Sequence, residues 1–456
     1  MTDVLASFAA PTAAWFAASF AAPTPAQVQA WPAIARGEHV LLVAPTGSGK
    51  TLAAFLAALD RLLFAPRPAP SGRRGAGTRV VYVSPIKALA VDVERNLMAP
   101  LAGITAAAEA SGTAVTPVSV AVRSGDTSPR DRRAIAAGHA DVLITTPESL
   151  YLMLTSAARD ALRTVDTVIV DEIHALVGTE RGAHLALSLE RLEHLTGRPL
   201  QRLGLSATVR PLDEVARFLA GARPVTIVDA GTRRALALTV EMPFAAGADA
   251  PPAASNWERV FPRLLELVRS HTSTLVFVNS RRLAERIAAA VNELAGEVLV
   301  HAHHGSVAKD QRAAIEDALK RGTLRGLVAT SSLELGIDMG AIDLVVQVEP
   351  PPSVASGLQR VGRAGHQVDA TSAGVIVSKH KGDVLACATL VDAMRAGAVE
   401  ATRYLRNPLD VLAQQLVAMA ALEPWSTDAA FALVTRAAGF AELPRIAFEG
   451  VLDMLS

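Results

Sequence analysis

The chain has 456 residues, half of them hydrophobic, which is ample for the buried cores of two or three globular domains. Lysine plus arginine balance aspartate plus glutamate at 44 against 44, so no global positive field marks a polyanion partner, and any such partner must be held locally. The single cysteine, Cys387, excludes an internal disulfide and a cysteine-based zinc cluster and fits a reducing compartment, with the cytoplasm as the expected location.

Residues 1–22 are apolar but lack a basic start and carry Pro11, Trp15 and Phe16 in an amphipathic stretch, unlike a secretory signal. No uninterrupted apolar run is long enough to span a bilayer. The first strong signal is the run His39 to Val43, then Ala44-Pro45-Thr46-Gly47-Ser48-Gly49-Lys50-Thr51, then the Ala-rich stretch Leu52 to Leu59. Strand, glycine-bearing turn and helix in that order form the context of a phosphate-binding loop. Backbone N–H groups of Thr46, Gly47, Ser48 and Gly49 would converge on phosphate oxygens, Lys50 would add positive charge, and the Thr51 hydroxyl would reach Mg²⁺. Ala44 stands where the common pattern begins with Gly, so the match is to its relaxed form.

The segment Phe64 to Thr78 is rich in Pro, Gly and Arg and reads as an exposed loop; Arg67, Arg73 and Arg74 are either solvated there or touch a polyanion. From residue 24 to about 225, β-branched runs at Val80 to Ser84, Val118 to Val122, Val142 to Thr145, Val168 to Val170 and Leu203 to Ser206 alternate with helical segments. Such alternation predicts a parallel sheet with helices on both faces. The run Thr167 to Val170 ends in two adjacent carboxylates. Asp171 is suited to hold Mg²⁺ with Thr51, and Glu172 to polarise an attacking water as general base. These are two halves of one ATPase site.

Around Ala245 to Ser255 the sequence turns into Ala/Gly/Pro/Asp linker. Alternation restarts with Thr274 to Val278, Val298 to Ala302, Leu327 to Ala329, Leu344 to Val348 and Gly374 to Val377, which predicts a second α/β domain. It has no phosphate-binding loop of its own and is expected to complete the nucleotide site of the first across a cleft. From about Ala396 the pattern is helical, with Pro408 to Leu422 and Ser426 to Ala438 as helices; a third domain is expected to begin here without finishing by Ser456.

Taken together, the remaining motifs resemble those of a superfamily 2 DEAD/DEAH-box helicase over nearly all of residues 20–380. Phe20 to Gln27 looks like the Q motif, with Thr24 and with Gln27 reading the adenine edge, which implies ATP over GTP. Ser84-Pro85-Ile86-Lys87-Ala88-Leu89-Ala90, the stretch around Arg123-Ser124-Gly125-Asp126, and Thr145-Thr146-Pro147-Glu148-Ser149-Leu150 resemble first-lobe motifs that follow a nucleic-acid backbone. Ser206-Ala207-Thr208 resembles the motif that couples ATP to lobe movement, with Ser206 and Thr208 as the coupling hydroxyls. His174 would bond Gln359 on closure.

In the second lobe, Phe277 to Arg282 and His303 to Ser306 look like strand-binding motifs IV and IVa; the histidine pair has no ligand-spaced partners for a metal. Thr330 to Asp338 resembles motif V, with Asp338 facing ribose and triphosphate and Thr330 the strand. Gln359 to His366 resembles motif VI, where Arg360 and Arg363, three apart on a helix, share a face toward the γ-phosphate. Arg363 is the arginine finger, and Arg360 is either a second finger or a bridge to neighbouring motifs. His366 stands where many relatives have a third Arg.

The combination is closest to the large helicase-related (Lhr) family. Arg403 to Asp410 and the helices after it are similar to the opening of that family's winged-helix domain. The resemblance implies an α/β fold of two tandem RecA-like parallel-sheet domains followed by the start of a winged-helix-like segment. The expected organisation is an ATP-binding domain over 1–235, a linker over 236–256, a C-terminal RecA-like domain over 257–395 and the incomplete segment over 396–456. It also implies ATP and Mg²⁺ as cofactors and single-stranded DNA or a DNA/RNA hybrid as partner, with Arg123, Thr146, Arg281 and Thr330 on the strand. Movement 3′ to 5′ in DNA repair is the expected activity. An RNA helicase, or a duplex translocase that does not separate strands, would carry the same ATPase residues.

Overall fold

The computed structural model describes residues 4–45, 47–66, 75–231, 235–243, 255–335, 341–365 and 371–456, without the side chains of Lys309 and Ala313. Thr46, Asp338, His366 and the loop arginines Arg67, Arg73 and Arg74 lie outside the described residues. The chain divides into two compact units, one of Met1–Ala44, Ser48–Gly231 and Ala401–Ser456, the other of Pro45–Gly47 and Thr232–Glu400.

In the first unit, β1 (His39–Val43), β2 (Val80–Val83), β3 (Val120–Arg123), β4 (Val142–Thr145), β5 (Thr167–Val170), β6 (Gln201–Ser206) and β7 (Val225–Asp229) form one sheet in the order β3-β4-β2-β5-β6-β1-β7. Every pairing is parallel. The strands are apolar on both faces because both are covered. Leu41, Val43, Val81 and Val83 enter one core, while Val40, Leu42, Val80 and Tyr82 enter the other, following the two-residue period of a strand. The second core is closed by Phe16, Trp31 and the helix Lys50–Phe64.

The first core is closed by the helix Glu180–Thr196 and by residues from the far end of the chain, Leu412, Leu416, Phe440 and Phe448 among them. Residues 401–456, which the sequence sets apart as the start of a further domain, therefore pack into the first unit. Gln415 is fully buried there: its amide donates to the His184 carbonyl at 3.1 Å, and its Oε1 accepts from Arg191 at 2.7 Å. A charged knot adds to this. Glu190 accepts from Arg202, Arg223 and Arg436, each at 2.8 Å, and Glu193 bonds the same three arginines. Burial alone would raise the Glu190 carboxyl, but Arg202 and Arg223 hold it below the usual carboxylate range. The Arg202 side chain is only 2% exposed, so Glu190→Gln would strand a buried guanidinium and is expected to cost about 3–5 kcal/mol in denaturant unfolding. A loss under about 1 kcal/mol would mean that Glu193 alone satisfies the cluster.

In the second unit, β8 (Leu236–Glu241), β9 (Thr274–Phe277), β10 (Val300–His303), β11 (Gly326–Ala329), β12 (Leu344–Val348) and β13 (Ser372–Val377) form a second parallel sheet in the order β10-β11-β9-β12-β13-β8. Two strands escape the sequence reading. β7 and β8 are edge strands with one neighbour each, so they are half exposed and lack the continuous apolar run of a central strand. Residues 236–241 fall in the expected linker, yet they pair with β13 from Ser372↔Leu236 to Val377↔Glu241. Among the described residues no helix is long and apolar enough to cross a membrane.

Candidate functional site

Parallel strands place all their carboxyl ends on one edge of a sheet, where ligands of open α/β folds bind. On the first unit's edge the motifs separate into two neighbouring groups. The phosphate loop, the Ser206 motif and the Asp171-Glu172 pair follow β1, β6 and β5, which are adjacent; the three backbone-following motifs follow β2, β4 and β3, also adjacent.

Gly49, at φ 79°, precedes the helix Lys50–Phe64 in a left-handed conformation that glycine adopts without cost. Lys50 is largely buried and its Nζ donates to the Ala44 carbonyl at 2.7 Å, so the ammonium is folded against the loop. Thr24 caps the helix Pro25–Ala35 in a reciprocal box: Gln27 N–H donates to Thr24 Oγ1 at 3.3 Å and Thr24 N–H to Gln27 Oε1 at 2.9 Å. Thr24 Oγ1 also donates to the Ser48 carbonyl at 2.8 Å. Local capping chemistry thus fixes the Q-like motif against the phosphate loop. One lone pair of Gln27 Oε1 is used in the cap.

Asp171 Oδ1 accepts from the Glu172 N–H at 2.8 Å, and Oδ2 accepts from the Tyr82 hydroxyl. Burial, followed by the adjacent Glu172 carboxylate, pushes the Asp171 carboxyl up to about 7. Glu172 has φ 43°, rare for a residue with a Cβ, and this bend turns the chain off β5 into the short helix His174–Val177. His174 Nδ1 lies 3.5 Å from Glu172 Oε2, 3.3 Å from Ser206 Oγ and 3.3 Å from the Ala207 N–H. The imidazole therefore stands between the candidate base and the coupling motif. With Nδ1 accepting from the amide, a neutral ring carries its proton on Nε2. Ser206 is buried, while Thr208 is exposed. The hydroxyl and carboxylate of Thr51 and Asp171 are hard oxygen donors that fit Mg²⁺, to be completed by phosphate oxygens and water. Among the described residues no cluster of three or more His, Cys, Asp or Glu side chains could hold a metal by itself.

In the second group, Lys87 pairs with Asp126 at 2.7 Å, joining two backbone-following motifs. Arg181 joins the third to the first, donating to Glu148 Oε1 at 2.5 Å and to the Pro85 carbonyl at 2.8 Å. Arg123 is partly buried beside Arg132, and burial first, then Arg132, lowers its pKa. Thr146 caps the helix Pro147–Leu154 through Ser149 N–H at 3.4 Å and is 5% exposed. Its hydroxyl thus has a structural task in addition to the expected strand contact.

In the second unit, Arg281 Nη1 donates to Ser306 Oγ at 2.7 Å, tying motif IV to motif IVa. His303 contacts Ser332 and Glu316, and His304 contacts Glu285, so the two rings turn to separate partners. Thr330 N–H donates to the His303 carbonyl at 3.3 Å. Gln359 and Arg360 lie on the helix Val354–Val361, and Arg363 follows it. Arg360 is 2% exposed and satisfied on every side: Nε and Nη2 to Glu334 at 3.3 and 3.1 Å, and Nη1 to Asn279 at 3.0 Å and Gln347 at 2.8 Å. That is the geometry of the bridge rather than of a second finger. Arg363 Nη2 donates to the Glu334 carbonyl at 2.8 Å.

Residues 24–216 match the DEAD/DEAH box helicase family, residues 259–367 the helicase conserved C-terminal domain, and residues 392–456 the winged helix domain of the large helicase-related protein. The chain belongs to the large helicase-related (Lhr) family of DEAD/DEAH-box helicases. It is 55% identical to the Lhr helicase/probable uracil glycosylase of Mycolicibacterium smegmatis, over 100% of this chain and 32% of that protein. It is 40% identical to the ATP-dependent helicase Lhr-Core protein 2 of Thermococcus barophilus, over 100% of this chain and 53% of that protein. The solved structure of Mycobacterium smegmatis helicase Lhr bound to ssDNA and AMP-PNP aligns with TM-score 0.93 and 57% identity, over 100% of this chain and 58% of that one. The chain thus spans between 32% and 58% of the length of these Lhr relatives.

Three residues of this Lhr-family chain have structural roles that the motif reading did not assign. Glu334 receives both motif VI arginines, Gln347 supports Arg360 from β12, and Tyr82 bonds Asp171. Glu334 and Gln347 are polar groups in apolar surroundings, the kind of residue that needs a partner, but the sequence does not say which. A methyl group on Gly49 would lie 2.7 Å from Gln27 Nε2 and force a left-handed alanine. Gly49→Ala is therefore expected to weaken ATP binding by about tenfold or more, roughly 1.4 kcal/mol, in a fluorescent-nucleotide titration. Unchanged affinity would separate Gln27 from nucleotide binding.

Proposed function

We propose that this chain is the motor core of an ATP-dependent helicase or translocase that moves on single-stranded DNA. The observation that carries the reading is the split of the first sheet's carboxyl edge into an ATP-type group after β1, β6 and β5 and a strand-type group after β2, β4 and β3. The Lhr structure with ssDNA and AMP-PNP, 57% identical over the whole chain, supports the same pairing of ligands.

In this mechanism the backbone amides of 46–49 and the Lys50 ammonium bind the phosphates, and Gln27 selects adenine. Thr51 and Asp171 would hold Mg²⁺, which would supply charge neutralisation to the triphosphate. Glu172 takes the proton of the attacking water, Arg363 stabilises charge on the departing phosphoryl group, and Asp338 faces the ribose. Arg360 holds motifs IV, V and VI together. His174 passes the state of Glu172 to Ser206 and Thr208, with Gln359 as its partner in the closed state. The strand is followed by Arg123, Thr146, Arg281 and Thr330. The proposal extends to movement 3′ to 5′ in DNA repair, within the cytoplasm. ATPase rates measured side by side with single-stranded DNA, single-stranded RNA and duplex DNA test the reading: the first should stimulate most. Greater stimulation by RNA, or by duplex alone, would overturn it.

With a formal net charge of zero the strand contacts must be few and local. The log–log salt slope of single-strand binding should be no steeper than about −4, because hydroxyl and amide contacts release no counterions. Arg281→Ala should lower affinity and shallow the slope by about 0.7. It should also reduce strand-stimulated ATPase while sparing the basal rate. An unchanged affinity and slope would remove Arg281 from the strand path.

A further inference from the structure

The sequence Val80-Val81-Tyr82-Val83 forms a central, fully buried strand in which a phenol is chemically out of place. Burying a hydroxyl among valines costs free energy unless a partner repays it, and phenylalanine would fill the same volume without that cost. The ring is stacked on Phe55, centroids 4.8 Å apart and planes 15° apart, which fixes where the hydroxyl points. It donates to Oδ2 of Asp171. Asp171 is one of the two residues assigned to Mg²⁺. The other Asp171 oxygen is held by the Glu172 N–H at 2.8 Å.

We propose that Tyr82 is a positioning residue of the metal site, its phenol orienting the Asp171 ligand. By giving its hydrogen to Oδ2 while the Glu172 N–H holds Oδ1, it sets the rotation of the Asp171 carboxylate. This rests on the reading of Thr51 and Asp171 as the Mg²⁺-holding pair. A group that orients a metal ligand through a hydrogen bond commonly tunes metal affinity by about 10–100-fold. Loss of the phenol would therefore alter how much Mg²⁺ the protein needs, beyond any change in packing.

The test is Tyr82→Phe, which keeps the ring and its stacking. Binding of a fluorescent ADP analogue is measured in chelator and across a Mg²⁺ series, with thermal melting alongside. Affinity in chelator should match the parent, while the Mg²⁺ concentration giving half of the metal-dependent tightening should rise about tenfold or more. Phe55→Leu, which removes the stacked ring and leaves the phenol, should lower the melting temperature without that shift. An unshifted Mg²⁺ requirement in Tyr82→Phe, or the same shift in Phe55→Leu, would overturn the proposal. Asp171→Asn distinguishes the two levels of the argument. If it retains the parent's Mg²⁺ dependence, the assignment of the metal site fails; if it loses that dependence while Tyr82→Phe does not move, only the role of Tyr82 fails.

Discussion

Glu172→Gln is expected to bind ATP as the parent does and to hydrolyse it about 10²- to 10⁴-fold more slowly, the range lost with a general base. The amide keeps the shape of the side chain and the bend at φ 43° but cannot accept the proton of the attacking water. Glu172 is 6% exposed, and its Oε2 lies 3.5 Å from His174 Nδ1. Asp171 is committed to Tyr82 and the Glu172 amide. Single-turnover hydrolysis with a parallel nucleotide titration separates the two effects. Lys50→Ala should fail in the titration instead, because it removes charge from the phosphates. Parent-rate turnover by Glu172→Gln would show that the base lies elsewhere.

Arg363→Ala is expected to cut hydrolysis by ~10³-fold or more with nearly intact ATP affinity, since a finger acts on charge that develops in the transition state. The structure supplies a control. Arg360 is buried in a network with Glu334, Asn279 and Gln347, so Arg360→Ala leaves an uncompensated carboxylate and should destabilise the second unit by about 3–5 kcal/mol. Calorimetry should therefore show a lowered melting temperature for Arg360→Ala. His366→Ala should lose far less activity than Arg363→Ala. Equal losses at positions 363 and 366 would transfer the finger's role to His366.

Much of the site was legible because its chemistry is local in sequence. A turn with Gly47 and Gly49 between an apolar strand and a helix, and a strand ending in Asp171-Glu172, each place their groups through the backbone alone. The cap in which Thr24 and Gln27 exchange hydrogen bonds is likewise written in two residues three positions apart. The two roles offered for Arg360 could not be separated in this way. Whether a guanidinium is free to reach a phosphate or spent on neighbours depends on residues 26 and 81 positions away.

The sequence by itself determined the elements whose signal is continuous: the central strands, which are apolar on both faces, and the motif-bearing turns at their ends. It also determined the family, through motifs whose order survives without coordinates. Only the tertiary structure decided what long-range pairing controls. The edge strands β7 and β8 are half exposed, so their pattern is weak until a neighbour pairs with them. Residues 401–456 joined the first unit because Leu412, Leu416 and Phe448 complete its core and Arg436 reaches Glu190 and Glu193 from more than 240 residues away. Tyr82 gained its meaning in the same way: the phenol is one letter in a run of valines until folding brings Asp171, 89 positions away, to its hydroxyl. Periodicity and turn chemistry report what a residue does to its own segment, whereas burial joins segments by shape and by the need to satisfy each polar group, and neither is encoded at a fixed spacing.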